Sequence, residues 1–351
     1  MGKIGVLLIN LGTPDATDYW SMRRYLKQFL SDKRVIEAKG PVWWLVFNAI
    51  ILTKKPRSSG RAYDLIWNRE LDESPLRTIT RAQSEKLATG FADQPNIVVD
   101  WSMRYGTPSI EQGVARLTDQ GCDQVLFFPL YPQYSSATTG SAMDAVFSAL
   151  KSLRSQPTIR AVSPYFDHSC YIDALAESIL AHHTNLTWEP EVTIASLHGL
   201  PVDFIAKGDP YQSQCETTVN LLRKKLGLKD WQLLLTYQSR SGRSEWIGPD
   251  TEETIVRMAQ DGIKNLSIIT PGFSSDCIET LEEIGIRAKQ KFIDAGGNNC
   301  AVIPCLNDSD LSIAMLEKLV NENLFNSCKV LSEESEPFSV RPVERSFAMS
   351  N

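Results

Sequence analysis

The chain lacks most of the motifs that announce common chemistries. No G-x-x-x-x-G-K-[ST] occurs and no G-x-G-x-x-G follows a strand-like run, which argues against an ordinary nucleotide enzyme. No H-E-x-x-H occurs, and the four histidines (His168, His182, His183 and His198) are too few for a multi-histidine zinc site. No C-x-x-C occurs either. The seven cysteines are odd in number and scattered, so they read as reduced thiols of a cytosolic protein. The closest pair, Cys300 and Cys305, reads as buried strand cysteines rather than a metal site. A basic excess is missing: 36 lysines and arginines against 42 aspartates and glutamates leave a formal charge of −6, so no nucleic-acid partner is expected. Long apolar runs are missing too. The longest, Pro41–Leu52, falls short of the roughly twenty residues that cross a bilayer. A strand-like run begins at Ile4, so no targeting segment is expected before it, and a cytoplasmic location is.

What is present is a globular composition, 42% apolar and 22% charged, in a length that suits two domains. Strand-like runs alternate with amphipathic helical runs, the pattern of a parallel sheet covered on both faces. In the first half the strands are Ile4–Asn10, Ile97–Met103, Gln124–Leu130 and Thr158–Val162; in the second they are Val192–Leu197, Gln232–Tyr237, Leu266–Thr270 and Ala301–Pro304. Helical patterns cover Thr78–Gly90, Ile110–Asp119, Gly140–Arg154, Tyr171–His182, Gln212–Leu226 and Glu252–Asp261. Loops after the third strand of each half correspond loosely, Gln133–Ser136 with Phe273–Asp276, which points to an ancient duplication with a cleft between the halves. The expected division is an α/β domain over 1–162, a second over 163–307, a helix over 308–328 packing back on the first, and a flexible tail over 329–351.

Two strand ends stand out. His198, in ASLHGLPVDF, follows Val192–Leu197, where Gly199, Leu200 and Pro201 turn the chain sharply. Glu279 and Glu283, in PGFSSDCIETLEEI, follow Leu266–Thr270 and lie four apart, on one helix face. Ligands of an α/β sheet bind outside the carboxyl ends of its strands, so a base and a ladder of carboxylates are aimed at one place. A reaction that moves protons and handles a metal cation needs such a set. The plain alternative is that Asp276-x-x-Glu279 is a capping box and that Glu282 and its neighbours serve the helix dipole. Aromatic residues also gather after strands: Tyr63, Trp67, Tyr105, Tyr131, Tyr134, Trp246 and Phe273. Tyr131 is expected in the core; Trp246, in the polar stretch SGRSEWIGPD, is better explained by a flat hydrophobic ligand. Lys54, Lys55, Arg57, Ser74 and Arg104 could hold carboxylates at the edge of such a ligand, and Trp43 and Trp44 suit either its lip or a core helix.

Together these segments resemble the ferrochelatase family. The matching stretches are LLINLGTPD (8–15), YDLIW and ESPL (63–67 and 73–76), MRYG (103–106), FPLYPQYSSATTGS (128–141), ASLHGLP (195–201), KGDPY (207–211), YQSRSG with EWIGP (237–249) and GFSSDCIETL (272–281). The resemblance implies insertion of Fe²⁺, as substrate, into protoporphyrin IX. It also implies two similar Rossmann-like domains, each a four-stranded parallel sheet flanked by helices, with the active-site cleft between them. His198 matches the family's active-site histidine and Glu279 its essential glutamate; Asp276 and Glu283 continue an acidic metal track. Arg104, Tyr63, Ser74 and one of Lys54 or Lys55 match porphyrin contacts, and Trp246, Gln238, Phe273, Tyr105 and Leu11 the pocket wall. Two departures follow. Cys277 stands where many members have a second histidine, as in some proteobacterial members, so the metal path here leans on carboxylates or a softer thiolate. Some members carry a [2Fe–2S] cluster on C-terminal cysteines; only Cys328 lies beyond Cys305, so no cluster and no permanently bound cofactor is expected.

The resemblance implies that the ring is held out of plane, that His198 takes up the released protons, and that Glu279 and Glu283 strip water from Fe²⁺ or carry protons outward. Three rivals are a chelatase for a more acidic tetrapyrrole, a non-catalytic tetrapyrrole carrier, and an enzyme for coproporphyrin III. The apolar segment Val42–Leu52 favours the less charged ring, and suggests peripheral contact with the inner membrane. An iron-donor protein is a further expected partner.

Overall fold

The computed structural model describes residues 2–37, 40–240, 242 and 244–325. The first sheet holds β1 (Lys3–Gly12), β2 (Ile97–Tyr105), β3 (Cys122–Pro129) and β4 (Thr158–Ala161), in the order β2-β1-β3-β4. The second holds β5 (Val192–His198), β6 (Leu233–Gln238), β7 (Asn265–Ile269) and β8 (Asn299–Val302), in the order β6-β5-β7-β8. All neighbouring strands are parallel, and the second order repeats the first, so the duplication suggested by the loops is present in the topology. Each strand lies within two residues of its expected bounds. The reason is burial. Central β1 is covered on both faces and reads as an unbroken apolar run, with Val6 to Ile9 fully buried.

The covering helices form where amphipathic periodicity and caps coincide. Helix Ile110–Asp119, for example, opens on a capping box between Ser109 and Gln112. Two further helical regions complete the first half. One is Tyr19–Leu30. The other is Pro41–Val46, a π-turn over Phe47–Ile51, and Leu52–Ile66, which contains Pro56. They pack on each other through Met22, Tyr25, Leu26, Phe47, Leu52 and Tyr63, and form a lip on the first half. Their crossing is close at Gly60, where an added Cβ would meet the Thr17 carbonyl at 2.4 Å.

The halves share one core. Leu8, Leu126 and Phe128 of the first sheet join Ala195, Leu197 and Tyr237 of the second in one apolar cluster. Helix Asp310–Phe325 takes part and packs on both Pro75–Gly90 and Ser169–Thr184. Polar ties add register. Asp209 accepts from the Ser136 amide at 2.7 Å and the Ser135 hydroxyl at 3.1 Å, and the Ser274 hydroxyl donates to the Leu130 carbonyl at 3.0 Å. The loops after β3 and β7 are thereby locked face to face. The tail expected over 329–351, and Cys328, lie outside the described residues.

Candidate active site

In the second sheet the chain leaves β5 for β6 on one side and reaches β7 on the other, so the gap between β5 and β7 is the switch point where α/β sheets bind ligands. His198 is the last residue of β5 and is half-buried there. Its Nδ1 lies 2.6 Å from the Gly199 carbonyl oxygen. A carbonyl only accepts, so Nδ1 carries the hydrogen and the neutral ring keeps Nε2 as a proton acceptor. Trp246 packs alongside: it bridges Pro201, and a Cβ on Gly199 would lie 3.2 Å from its ring.

The segment after β7 brings the carboxylates to the same gap. Glu279 opens a π-helix, Glu279–Ala288, rather than an ordinary α-helix; such helices are rare and concentrate at functional sites. No side chain caps it, so the expected capping box with Asp276 does not form. Asp276 is buried instead, accepting from Thr280 Oγ1 at 2.8 Å and Asn307 Nδ2 at 2.7 Å. It therefore sits behind the glutamates in a satisfied network, not along an open acidic track. Gln238, expected on the pocket wall, is likewise buried as a brace. Its Nε2 donates to the Glu279 carbonyl at 2.9 Å, and its Oε1 accepts from Ser196 Oγ at 2.7 Å. Glu283 accepts from Ser239 twice, N–H to Oε1 at 2.7 Å and O–H to Oε2 at 2.6 Å. Burial raises its carboxyl above the usual range, and the Glu279 charge adds to this. The Ser239 bonds, His198 and Arg287 oppose the rise without cancelling it. Of the three expected proton and metal groups, Glu283 thus feels both Glu279 and His198.

Leu11, Tyr63, Ser74, Leu76, Cys277 and Glu279 line one cavity on the lip side, so three expected contacts meet the expected glutamate. Phe273 packs on the same wall, against the cluster of Leu76, Met103 and Cys277. Ser74 also caps helix Pro75–Gly90, accepting from the Arg77 amide at 3.4 Å. Burial, then the nearby Glu279, drives the Cys277 thiol and the Tyr63 phenol well above their ordinary values, so both are neutral at physiological pH. With no metal beside it, Cys277 is accordingly a buried thiol.

Arg104 and Tyr105 are turned elsewhere. Tyr105 is fully buried, donates to Asp32 Oδ2 at 2.8 Å and meets Phe29 edge-on at 5.0 Å, so it is not pocket wall. Arg104 pairs with Asp32 at 2.5 Å and donates to Ser141 Oγ at 2.7 Å, so the expected carboxylate clamp is already occupied. Burial alone would raise Asp32, but hydrogen bonds from Ser141, Arg34 and Tyr105 and the Arg104 charge hold it below the usual carboxylate range. Lys54 and Lys55 are exposed on helix Leu52–Ile66. Sequence reasoning missed Asp32, Asn307 and Ser239. Ser239 had one signal, a hydroxyl directly after the end of β6; Asp32 and Asn307 act on partners remote in sequence, Arg104 and Asp276, and had none.

The family profile described as Ferrochelatase matches residues 3–324. Among similar curated proteins, the ferrochelatase of Chelativorans sp. (strain BNC1) is 52% identical over 323 residues, covering 92% of each chain. That of Nitrobacter hamburgensis is 52% identical, covering 92% of this chain and 93% of the relative. Among solved structures, Bacillus subtilis SirB with Fe³⁺ superposes with a TM-score of 0.56 at 13% identity, covering 93% of this chain and 98% of that one, a likeness of fold.

Proposed function

The chain belongs to the ferrochelatase family, and we propose on that premise that it inserts Fe²⁺ into protoporphyrin IX, giving protohaem and two protons as the last step of haem synthesis. The observation that carries the reading is the meeting of His198, Glu279 and Glu283 at one switch point, beside the cavity that holds Leu11, Tyr63 and Ser74.

A free-base porphyrin is flat, and its two pyrrole N–H groups block the central hole. Entry of a metal requires that the ring be bent and that two protons leave. Trp246, Phe273 and Leu11 supply apolar surface for the bend, which is ground-state strain drawn from contacts remote from the nitrogens. His198 presents Nε2 as acceptor, with its ring fixed by the Gly199 carbonyl. Glu279 and Glu283 offer oxygen ligands that exchange water on Fe²⁺ and release it. Gln238 holds the Glu279 backbone in place throughout.

Arg104 favours the less acidic ring. A tetrapyrrole with many carboxylates needs spare cations in the cleft, and this arginine is already paired with Asp32. No [2Fe–2S] cluster is proposed, because the thiolates for it are missing beyond Cys305 save Cys328. The lip exposes Val42, Trp44, Leu45 and Ile50, and no helix among the described residues is long and apolar enough to cross a membrane. We place the protein in the cytoplasm, touching the inner membrane peripherally through Val42–Leu52.

The test is anaerobic mixing with Fe²⁺ and either protoporphyrin IX or coproporphyrin III, following loss of free-base fluorescence. Turnover of protoporphyrin is expected. Preference for coproporphyrin would keep the chemistry and move the step earlier; binding of either ring without insertion would leave a carrier.

A further inference from the structure

A second set of reactive side chains lies outside the cleft, where the chain enters the second half. His168 caps helix Ser169–Thr184, its Nδ1 accepting from the Cys170 amide at 3.3 Å. The same Nδ1 lies 2.9 Å from Cys170 Sγ, and Nε2 lies 2.9 Å from Glu322 Oε2 on helix Asp310–Phe325. A carboxylate only accepts, so Nε2 carries the hydrogen. Nδ1 accepts from an amide, so it is bare, and the Cys170 thiol donates to it. Nucleophile, base and orienting carboxylate therefore stand in line, the arrangement that activates a weak nucleophile. Tyr165 is an independent pointer to the same place. It is 3% exposed, its hydroxyl has no hydrogen-bond partner among the described residues, and charge on the Cys170 sulfur acts on it. A buried hydroxyl left unpaired costs stability, and a thiolate here would supply the acceptor that the resting site lacks.

We propose that Cys170 is a modification site, a thiol activated by His168 and Glu322 that exchanges with a low-molecular-weight disulfide and keeps half of it as a mixed disulfide. In the step, His168 Nδ1 takes the proton from Sγ, and Sγ attacks one sulfur of the reagent. The new S–S bond forms as the reagent's own S–S bond breaks. The leaving thiolate collects the proton from Nδ1, so Cys170 is oxidised to the mixed disulfide and the departing half is reduced to a thiol. Burial pushes the Cys170 thiol up to about 11, with Lys318 opposing and Glu322 adding to the rise. It therefore rests as the S–H donor and depends on the base beside it, and a thiolate of high pKa is the stronger nucleophile once formed. Access separates it from its counterparts: Cys170 is partly exposed, whereas Cys122, Cys215, Cys277, Cys300 and Cys305 are buried. The step uses nothing from the cleft, so it stands apart from the iron-insertion reading.

The test is to mix the reduced full chain with excess glutathione disulfide at neutral pH and follow adducts by peptide mass mapping, which separates Cys170 from Cys328. The Cys170 adduct should form at least about tenfold faster in the native protein than at the same cysteine in the urea-unfolded chain, and dithiothreitol should remove it. His168→Asn keeps an oxygen to cap the helix and removes the base. It should slow the native reaction by at least about tenfold while the melting temperature stays within a few degrees of wild type. Tyr165→Phe removes an unpaired hydroxyl, so it should slow the reaction several-fold with a melting temperature no lower than wild type. The proposal is overturned if native Cys170 reacts no faster than in the unfolded chain, or if folded His168→Asn reacts at the wild-type rate. Should His168→Asn fail to fold, the comparison of native with unfolded wild type decides alone.

Discussion

His198→Ala separates chemistry from folding most sharply, because the two losses differ in size. On the folding side the ring donates from Nδ1–H to the Gly199 carbonyl, and the backbone register of His198 with Gln238 survives the change. The ring is half-buried, so water can enter where it stood and bond the Gly199 carbonyl. The folding cost is then about 0.5–1.5 kcal/mol, the net worth of one hydrogen bond. On the chemical side a positioned general base contributes about 10²–10⁴ in rate, or roughly 3–5 kcal/mol of barrier. Anaerobic insertion assays should therefore show at least a hundredfold fall in kcat, alongside a melting temperature only a few degrees lower and unchanged quenching of protein fluorescence by protoporphyrin. Turnover within a few-fold of wild type would refute the assignment of Nε2 as acceptor. A fall in activity that tracked a collapse in melting temperature would show instead that His198 is structural.

The other predictions concern the carboxylates and the lip. Glu279→Gln should cut kcat by about a hundredfold without loss of stability, since no cap is broken; a melting temperature that falls as steeply as activity would restore the helix-only reading. Glu283→Gln should stabilise the protein at pH 8 and not at pH 4. The folded state holds this proton more tightly than the unfolded chain, so stability tied to Glu283 declines as pH rises from the unfolded value through the raised folded one, and glutamine removes that decline. Equal melting shifts at both pH values would contradict it. Trp44→Glu should abolish co-sedimentation with anionic vesicles while leaving the melting temperature unchanged, because Trp44 is 65% exposed; binding that persists would move the contact elsewhere.

The sheets were legible because parallel strands covered on both faces read as near-continuous apolar runs, and β1, β3, β5 and β7 are largely buried and carry few charges. The lip was not. Pro56 and Gly60 interrupt the pattern of Leu52–Ile66, whose helix survives through packing on Tyr19–Leu30 rather than propensity. At the site, position after a strand located His198 and Glu279 at the carboxyl end of the second sheet, since that rule concerns the backbone. It could not say which way a side chain turns. Arg104 and Tyr105 stand at the end of β2 yet face Asp32, 72 and 73 residues away, and Asp276 faces Asn307 across a separate loop. Such pairings exist only in three dimensions, so residues that resemblance assigns to a ligand can prove to hold the scaffold.

Partner satisfaction divides the cleft's charges into two kinds. Asp32 collects Arg104, Tyr105 and Ser141, and its carboxyl is held low; it is a stable anion that fastens the lip's base to the first sheet. Glu283 also has both oxygens bonded, yet its carboxyl is held high, because burial and Glu279 outweigh two donors and His198. The same functional group is thus set to opposite ends by its surroundings, as acid and base roles require. An unbalanced carboxylate pair costs stability at neutral pH, and a left-handed serine adds to that cost beside it. Neither feature helps the fold. Both make sense at a place where a divalent cation arrives and protons depart, since the incoming charge offsets the repulsion between the two carboxylates.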